Sequence, residues 1–167
     1  MPQDSQALLT RLKNSGLEFV VIGGVCVNYY GAAIATFDLD VCCPFGEKNV
    51  KRIESAVNDL HPIHRLTANK LALESTQSSF ADLKNLYLQT DIGKLDCLSE
   101  VSGVGSYDDV RKRSVLAQLS YGEFHFLHID ALIEAKKAVG RPRDLDAVRW
   151  LTAIKEKKQQ QKDLFDT

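Results

Sequence analysis

Two aspartates stand one residue apart in a segment whose other residues are typical of a buried strand. The segment reads TFDLDVCC, residues 36–43, and aspartate is depleted in strands and rarely buried without a partner. Since side chains alternate along a strand, Asp38 and Asp40 lie on one face, and the apolar residue between them lies on the other. Their Cβ atoms are then roughly 6.5–7 Å apart, so the carboxylates repel each other unless a cation neutralises them. This pattern predicts a site for a hard divalent cation, Mg²⁺ or Mn²⁺.

A third aspartate, Asp96, lies in a second apolar segment, KLDCLSE, residues 94–100. If its strand lies beside the first with Asp96 on the same face, the three carboxylates converge. Two metal ions held roughly 3.5–4 Å apart can then bind the attacking and leaving oxygens of a phosphoryl displacement. The alternative is that Asp38 ends a turn, Asp40 caps a loop and Asp96 belongs to an exposed edge strand. The Asp-x-Asp pattern alone does not decide between the two interpretations, since it is common by chance.

Two consecutive glycines, Gly23 and Gly24, end the short β-branched segment LEFVVI, residues 17–22, and precede a helical segment. A strand that ends in glycines and enters a helix presents backbone N–H groups to an anion, and glycine has no Cβ to block its approach. A triphosphate fits such a turn. The alternative is a tight strand-to-helix turn that binds no ligand.

The rest of the chain alternates between helical and strand patterns. Apolar residues recur at helical spacing in the segments 5–16, 49–60, 129–139 and 141–154, and strands are predicted at 83–90, 94–100, 115–120 and 123–129. The segment 61–80 has no clear pattern. Together these elements predict an α/β (α+β) fold, a mixed β-sheet flanked by helices, in a single domain of residues 1–167. Residues 155–167 are predicted to form a polar C-terminal tail that continues the last helix into solvent.

Composition limits the class of protein. The chain has 44% hydrophobic residues and a formal net charge of −1, so it can bury a core, and contact with nucleic acid would depend on a local basic patch. The four cysteines form no CxxC pair, and we expect buried thiols rather than a zinc site or a disulfide framework. The sequence has no signal-peptide pattern and no apolar run of roughly 20 residues, so we expect a cytoplasmic protein without a membrane partner.

The order of these motifs resembles that of the polymerase-beta-like nucleotidyltransferase superfamily. Its signature is a Gly-Gly or Gly-Ser turn, then an acid-x-acid strand and a third acid, matched here by Gly23-Gly24, DLDV at 38–41 and LDCL around Asp96. The segment HIDALIEAKKAVGRPRDLDAVRWL, residues 128–151, also resembles the last helices of small bacterial nucleotidyltransferases of the abortive-infection toxin type. The resemblance implies a nucleotidyltransferase-like fold, with a mixed sheet flanked by helices.

The resemblance also implies an enzyme that transfers a nucleoside monophosphate from an NTP such as ATP to a hydroxyl acceptor and releases pyrophosphate. The implied acceptor is RNA, a protein or a small molecule. Asp38, Asp40 and Asp96 are then the catalytic residues and the ligands of Mg²⁺ or Mn²⁺. The residues implied in nucleotide binding are Gly23, Gly24, Thr36, Lys136, Arg141, Arg143 and Asp144. The alternative for the last four is that they are solvated charges at helix ends, with Asp144 as an N-cap.

The sequence departs from this resemblance just before the acid pair. Small members of the superfamily often carry an Arg-x-Thr-x-Asp arrangement, whereas this chain keeps Thr36 and has Ile34 in place of the arginine. The difference favours an alternative function, a catalytically inactive nucleotidyltransferase-like module that binds a partner protein or nucleic acid. A toxin–antitoxin role is implied by the resemblance alone. Trp150 lies near Val148 and Leu151 on a predicted helix, and we expect it to pack in the core rather than to stack on a base.

Overall fold

The computed structural model describes residues 3–73 and 82–166 of the chain. The helices are α1 (Ser5–Asn14), α2 (Gly23–Tyr29), α3 (Glu47–Val57), α4 (Tyr107–Lys112), α5 (Ile129–Val139) and α6 (Pro142–Phe165), with a 3₁₀ turn at Asn58–Leu60. The strands are β1 (Val20–Ile22), β2 (Asp38–Cys42), β3 (Ile63–His64), β4 (Asn85–Thr90), β5 (Gly93–Leu98), β6 (Glu100–Val101), β7 (Gly105–Ser106), β8 (Ser114–Leu119) and β9 (Gly122–Leu127). Each helix and strand predicted from the sequence has a counterpart here, with ends that differ by a few residues.

Within the described residues, seven strands form one mixed sheet in the order β3-β4-β5-β2-β1-β9-β8. The pairs β2–β5 and β1–β9 are parallel, and the other neighbouring pairs are antiparallel. β6 and β7 pair separately as a short antiparallel ribbon. Hairpins join β4 to β5 and β8 to β9, as the paired strand patterns predicted. The mixed sheet with helices around it confirms the predicted architecture.

The helices bury the apolar stripes that the sequence predicted. α1 buries Leu8, Leu9 and Leu12 and packs against α3, whose buried residues include Val50 and Ile53. The central strand β1 is buried along its whole length, as expected for a strand that is covered on both faces. α2 contacts β2 and α5, and α5 packs against α6. This second group of helices adjoins the face of β2 that carries the aspartates.

The segment without a clear sequence pattern is described only in part. Residues 61–73 include the two-residue strand β3, which pairs with β4 at the edge of the sheet, and residues 74–81 lie outside the described residues. At the other end of the chain, α6 runs to Phe165, so the predicted tail continues the last helix. No described helix combines the length and the apolar character that a membrane crossing needs. The four cysteines are buried free thiols.

Candidate active site

The three predicted carboxylates come together on one face of two adjacent parallel strands. Asp38 and Asp40 lie on β2, Asp96 lies on β5, and the strand register places Asp40 beside Asp96. One carboxylate oxygen from each residue lies within 4.8 Å of those from the other two. Asp96 is only 6% exposed, so it is not the exposed edge residue of the alternative interpretation. The donors are all carboxylate oxygens, which fit Mg²⁺ or Mn²⁺ better than a soft metal.

Burial and mutual repulsion change the ionisation of this cluster. The pKa of Asp40 is raised to about 7, first by burial and then by the charges of Asp38 and Asp96. Three carboxylates this close are not all ionised at neutral pH unless positive charge is supplied. A divalent cation among them would supply that charge and displace the proton from Asp40. The cluster is therefore the best candidate for a metal centre among the described residues.

The glycine pair is required by the close approach of neighbouring segments. α2 begins at Gly23, whose φ of +67° favours glycine, and a Cβ added there would overlap the carboxylate of Asp40. A Cβ at Gly24 would lie 2.6 Å from Cγ2 of Thr36. The first turn of α2 therefore lies directly against the acid-bearing strand and the segment that precedes it. This packing places the start of α2 beside the carboxylates.

A buried carboxylate on α6 holds two cations near the aspartate cluster. Asp144 is 1% exposed and accepts hydrogen bonds from Nε of Arg141 at 2.7 Å and from Nζ of Lys136 at 3.4 Å. Burial opposes the ionisation of Asp144, but the hydrogen bonds and charges of Arg141 and Lys136 outweigh it and lower its pKa. Asp144 also accepts from the backbone N–H of Arg141 in a capping box, where Arg141 is the N-cap and Asp144 the third helical residue. The alternative in which Asp144 is the N-cap is therefore wrong, and its carboxylate links α5 to the first turn of α6.

A cleft of about 880 Å³ opens in front of the aspartates. Its lining includes most of the residues predicted from the sequence, namely Gly24, Thr36, Asp38, Asp40, Asp96, Lys136, Arg141, Arg143 and Asp144. Gly23 lines an adjoining cavity of about 200 Å³ together with Asp40 and Lys136. The larger volume lies in the range of small-molecule binding sites. The fold therefore gathers the acidic, glycine and basic groups of distant segments around one space.

Comparison with known proteins gives matches at the level of structure. Neither a scan against models of protein families nor a search of curated proteins finds a significant match. The fold matches TM1012 from Thermotoga maritima, described as a candidate nucleotidyltransferase, with a TM-score of 0.54 and 17% identity over 89% of this chain and 90% of that chain. It also matches ANT(2″)-Ia in complex with adenylyl-2″-tobramycin, with a TM-score of 0.57 and 13% identity over 89% of this chain and 85% of that chain. The chain has the nucleotidyltransferase fold.

The solution structure of ANT(2″)-Ia, described as an antibiotic-resistance factor, matches the same nucleotidyltransferase fold with a TM-score of 0.53. Its identity is 12%, and the match covers 96% of this chain and 92% of that chain. These matches confirm the fold that the sequence resemblance implied. None of the three structures is described as an abortive-infection protein, and this finer resemblance stays a prediction.

One functional candidate in this nucleotidyltransferase fold, Arg65, was not found from the sequence. It follows the edge strand β3 and forms a bidentate ion pair with Asp96, in which Nη2 lies 2.7 Å from Oδ2 and Nη1 contacts Oδ1. Its guanidinium lies over the Tyr87 ring, 5.5 Å from the ring centre. The cleft thus contains an additional arginine, although Ile34 stands at the position of the superfamily's arginine. No periodic pattern marks the segment of Arg65, whose place depends on the pairing of β3 with β4.

Three further side chains of the cleft were missed or misplaced. Lys94 stands two residues before Asp96 on β5, so the alternation of side chains would have placed it on the same face. Phe37 also lines the cleft and is 74% exposed. The prediction that Trp150 packs in the core was wrong, because its side chain is 59% exposed and lines the cleft. The buried stripe of α6 passes through the next residue, Leu151, and leaves Trp150 at its side.

Proposed function

We propose that this protein is a metal-dependent nucleotidyltransferase that transfers a nucleoside monophosphate from an NTP such as ATP to a hydroxyl acceptor and releases pyrophosphate. The observation that carries the proposal is the convergence of Asp38, Asp40 and Asp96 within 4.8 Å. It is supported by the fold shared with ANT(2″)-Ia, whose complex contains adenylyl-2″-tobramycin. Mg²⁺, with Mn²⁺ as its substitute, is the cation that these three residues would hold. When bound, such a cation polarises phosphate oxygens and neutralises the charge that develops during transfer.

The triphosphate is proposed to lie against the start of α2. Gly23 and Gly24 present no side chain there, and the first backbone N–H groups of the helix face an anion favourably. Lys136 and Arg141 border the same space and provide positive charge for the phosphate oxygens. Asp144 holds both cations in place before a nucleotide arrives. Charge that is already positioned in this way is the main contribution of a protein to phosphoryl transfer.

The acceptor is proposed to approach from the opposite side of β2, where Asp96 lies. In the sheet, β1 and the start of α2 flank β2 on one side, and β5 flanks it on the other. In-line displacement requires the attacking oxygen and the leaving group to lie on opposite sides of the phosphorus. The acceptor oxygen bonds to the α-phosphorus, the bond to the bridging oxygen breaks, and pyrophosphate leaves with the electron pair. In this proposal, Asp96 accepts the proton of the acceptor hydroxyl.

A catalytically inactive module that binds a partner protein or nucleic acid through this cleft is the second candidate. The observation that favours it is the bidentate pair of Arg65 and Asp96, which engages both oxygens of the third carboxylate. For catalysis, Arg65 has to release at least one of these oxygens. If Arg65 never releases Asp96, the protein keeps the nucleotidyltransferase fold but cannot catalyse nucleotide transfer.

The biological setting is part of the same proposal. An NTP-dependent transferase works on the cellular nucleotide pool, and the four buried free thiols suit a reducing compartment, so we propose a cytoplasmic protein. The single-domain organisation is likewise proposed. A toxin–antitoxin role rests only on the resemblance of residues 128–151 to abortive-infection proteins.

The test is to incubate the purified protein with Mg²⁺ and each NTP labelled at the α-phosphate, with and without cell extract. We expect wild type to release pyrophosphate and to label an acceptor, and Asp38→Asn to do neither. Glu47→Gln is the matched control, because Glu47 is an exposed carboxylate paired with Lys51 and does not line the cleft. A wild-type chain that binds Mg–NTP in calorimetry but never releases pyrophosphate supports the inactive module. A chain that binds no Mg–NTP contradicts the nucleotidyltransferase.

A further inference from the structure

Two of the cations that line the cleft stand apart from its ion pairs. Lys94 and Arg143 both line the cleft, and no carboxylate within the described residues pairs with either side chain. Lys136 and Arg141 of the same cleft are instead held by Asp144, and Asp146, which also lines the cleft, pairs with Arg149. When positive charge balances the three aspartates, the part of the cleft around Lys94 and Arg143, here called the rim, is therefore left basic. This is a local basic patch on a chain whose net charge is −1.

The same rim exposes large apolar side chains to solvent. Phe37 is 74% exposed, Trp150 is 59% exposed and Leu66 is 67% exposed, and all three line the cleft. Tyr87 lines it too, next to Asp96 in the strand register. Single exposed apolar residues need no explanation, but several of them around one cleft mark a binding surface. The largely exposed aromatic faces of Phe37 and Trp150 are therefore available for stacking on a flat ring of a ligand.

Each side of the cleft carries one ring and one cation. Arg143 and Trp150 are seven residues apart on α6, so they lie on the same side of the helix, roughly 10 Å apart along its axis. On the sheet side, Phe37 directly precedes Asp38, and Lys94 is the register partner of Asp38 on β5. A ligand that extends from the aspartates into the cleft can therefore contact a positive charge and an aromatic face on each side.

We propose that this rim is the acceptor subsite and that the acceptor is the end of a single-stranded polynucleotide. The inference rests on the proposed function and names the acceptor that it leaves open. Bases stack on Phe37 and Trp150, phosphates contact Lys94 and Arg143, and the terminal hydroxyl reaches Asp96. Aromatic faces combined with a basic groove are the means by which proteins bind single strands with little sequence preference. A polycationic acceptor such as tobramycin is disfavoured by the same cations.

The single tryptophan of the chain allows a direct test. Its intrinsic fluorescence reports on Trp150 alone, so a base that stacks on the indole changes the signal. The probes are a single-stranded RNA oligonucleotide without terminal hydroxyls, Mg–ATP, tripolyphosphate and tobramycin, so that no transfer takes place when the oligonucleotide and Mg–ATP are combined. We expect saturable quenching by the oligonucleotide that persists in saturating Mg–ATP, and none by tripolyphosphate or tobramycin. The proposal is overturned if the oligonucleotide does not quench the fluorescence. It is also overturned if Mg–ATP abolishes that quenching, because the indole of Trp150 then stacks on the base of the NTP.

Substitutions on the rim test the individual contacts by fluorescence anisotropy of a labelled oligonucleotide. We expect Phe37→Leu and Trp150→Leu each to weaken binding roughly 5- to 100-fold. Lys94→Gln and Arg143→Gln should each reduce the slope of log affinity against log salt by about 0.7. Because both rings are largely exposed, their replacement should leave the melting temperature nearly unchanged. Oligonucleotide affinities and salt slopes equal to those of wild type in all four variants would overturn the proposal.

The matched controls lie on the far part of α6. Phe165→Leu removes a ring that is 88% exposed, and Lys157→Gln removes an exposed charge, and neither residue lines the cleft. Both variants should bind the oligonucleotide like wild type. Mg–ATP affinity is measured by calorimetry on every variant, and the Phe37→Leu variant should retain it. Failure of the proposed function has a different signature, in which wild type neither binds Mg–ATP nor releases pyrophosphate, whatever its affinity for the oligonucleotide.

Discussion

The ionisation of one residue, Asp40, depends on the whole aspartate cluster. Its pKa is raised to about 7 by burial, Asp38 and Asp96, so the metal-free folded protein keeps a proton there close to neutral pH. In the unfolded chain an aspartate has a pKa of about 3.9. Between these two pH values the folded state binds the additional proton, and the stability of the fold therefore falls as the pH rises.

The first prediction follows from this linkage. The free energy of unfolding of the metal-free protein should contain a component that decreases by roughly 2–4 kcal/mol between about pH 4.5 and pH 7.5. Asp40→Asn removes the component, so the variant should be more stable than wild type at about pH 8. Urea unfolding in the presence of EDTA across this range measures both curves, and their difference isolates Asp40 from the histidines. Parallel curves would show that another group binds the proton.

The second prediction concerns the ion pair between Arg65 and Asp96. Arg65→Met frees both Asp96 oxygens and removes a positive charge beside the aspartates, so the cluster should bind Mn²⁺ at least about tenfold more tightly. Calorimetric titration with Mn²⁺ alone gives this affinity without any turnover. Arg11→Met is the matched control, because Arg11 forms a similar bidentate pair with the surface residue Asp59. Weaker Mn²⁺ binding by Arg65→Met would instead mean that Arg65 orients Asp96 for the metal.

At the scale of elements, the sequence predicts what depends on local periodicity. α5 has the bounds Ile129–Val139 that its apolar spacing predicted, and the hairpin of β4 and β5 lies where the strand patterns placed it. Alternation along β2 also places both of its aspartates on one face. The pairing of β2 with β5 could not be predicted in this way, since strand order and register depend on the whole sheet and leave no local pattern. Arg65 was also missed, because it follows a strand, β3, that is only two residues long and leaves no periodic pattern.

The third prediction tests how α2 packs against the segment before β2. In Gly24→Ala the new methyl group would lie 2.6 Å from Cγ2 of Thr36, so overpacking should cost about 1–3 kcal/mol of stability. Thr36→Ser removes that methyl group, and the double variant Gly24→Ala/Thr36→Ser should recover most of the loss. Urea unfolding of wild type, both single variants and the double variant gives the coupling energy. Losses that simply add would show that this contact does not require the glycine.

At the scale of the whole molecule, the cleft exists because the last two helices lie beside the acid-bearing face of the sheet. The order of the glycine turn, the acid pair, the third acid and the basic helix ends was visible in the sequence, and it was enough to predict the fold. Structures with only 12–17% identity share that fold. The rim could not be predicted, because the exposure of Trp150 depends on the rotation of α6 about its axis. A helical pattern of small and apolar residues defines that rotation only loosely.

The fourth prediction tests the link that holds α5 and α6 together at the cleft. Asp144 is 1% exposed and pairs with Lys136 from α5 and with Arg141 at the start of α6. Asp144→Asn leaves both cations without their carboxylate, so we expect a loss of about 2–3 kcal/mol of stability. We also expect at least fivefold weaker binding of Mg–ATP, because the cations are no longer held in position. Urea unfolding and calorimetry, the latter under conditions where the variant is fully folded, measure the two effects separately.

The control for this prediction is Asp146→Asn on the same helix. Asp146 is exposed and pairs with Arg149 at the surface, so its replacement should change stability by less than about 1 kcal/mol. If the two variants lose stability equally, the buried pair does not hold the helices together. If Asp144→Asn loses stability but binds Mg–ATP like wild type, the link serves the fold alone, and Lys136 and Arg141 do not contact the nucleotide. The combined loss is expected only when one carboxylate both joins the helices and fixes the phosphate-binding cations.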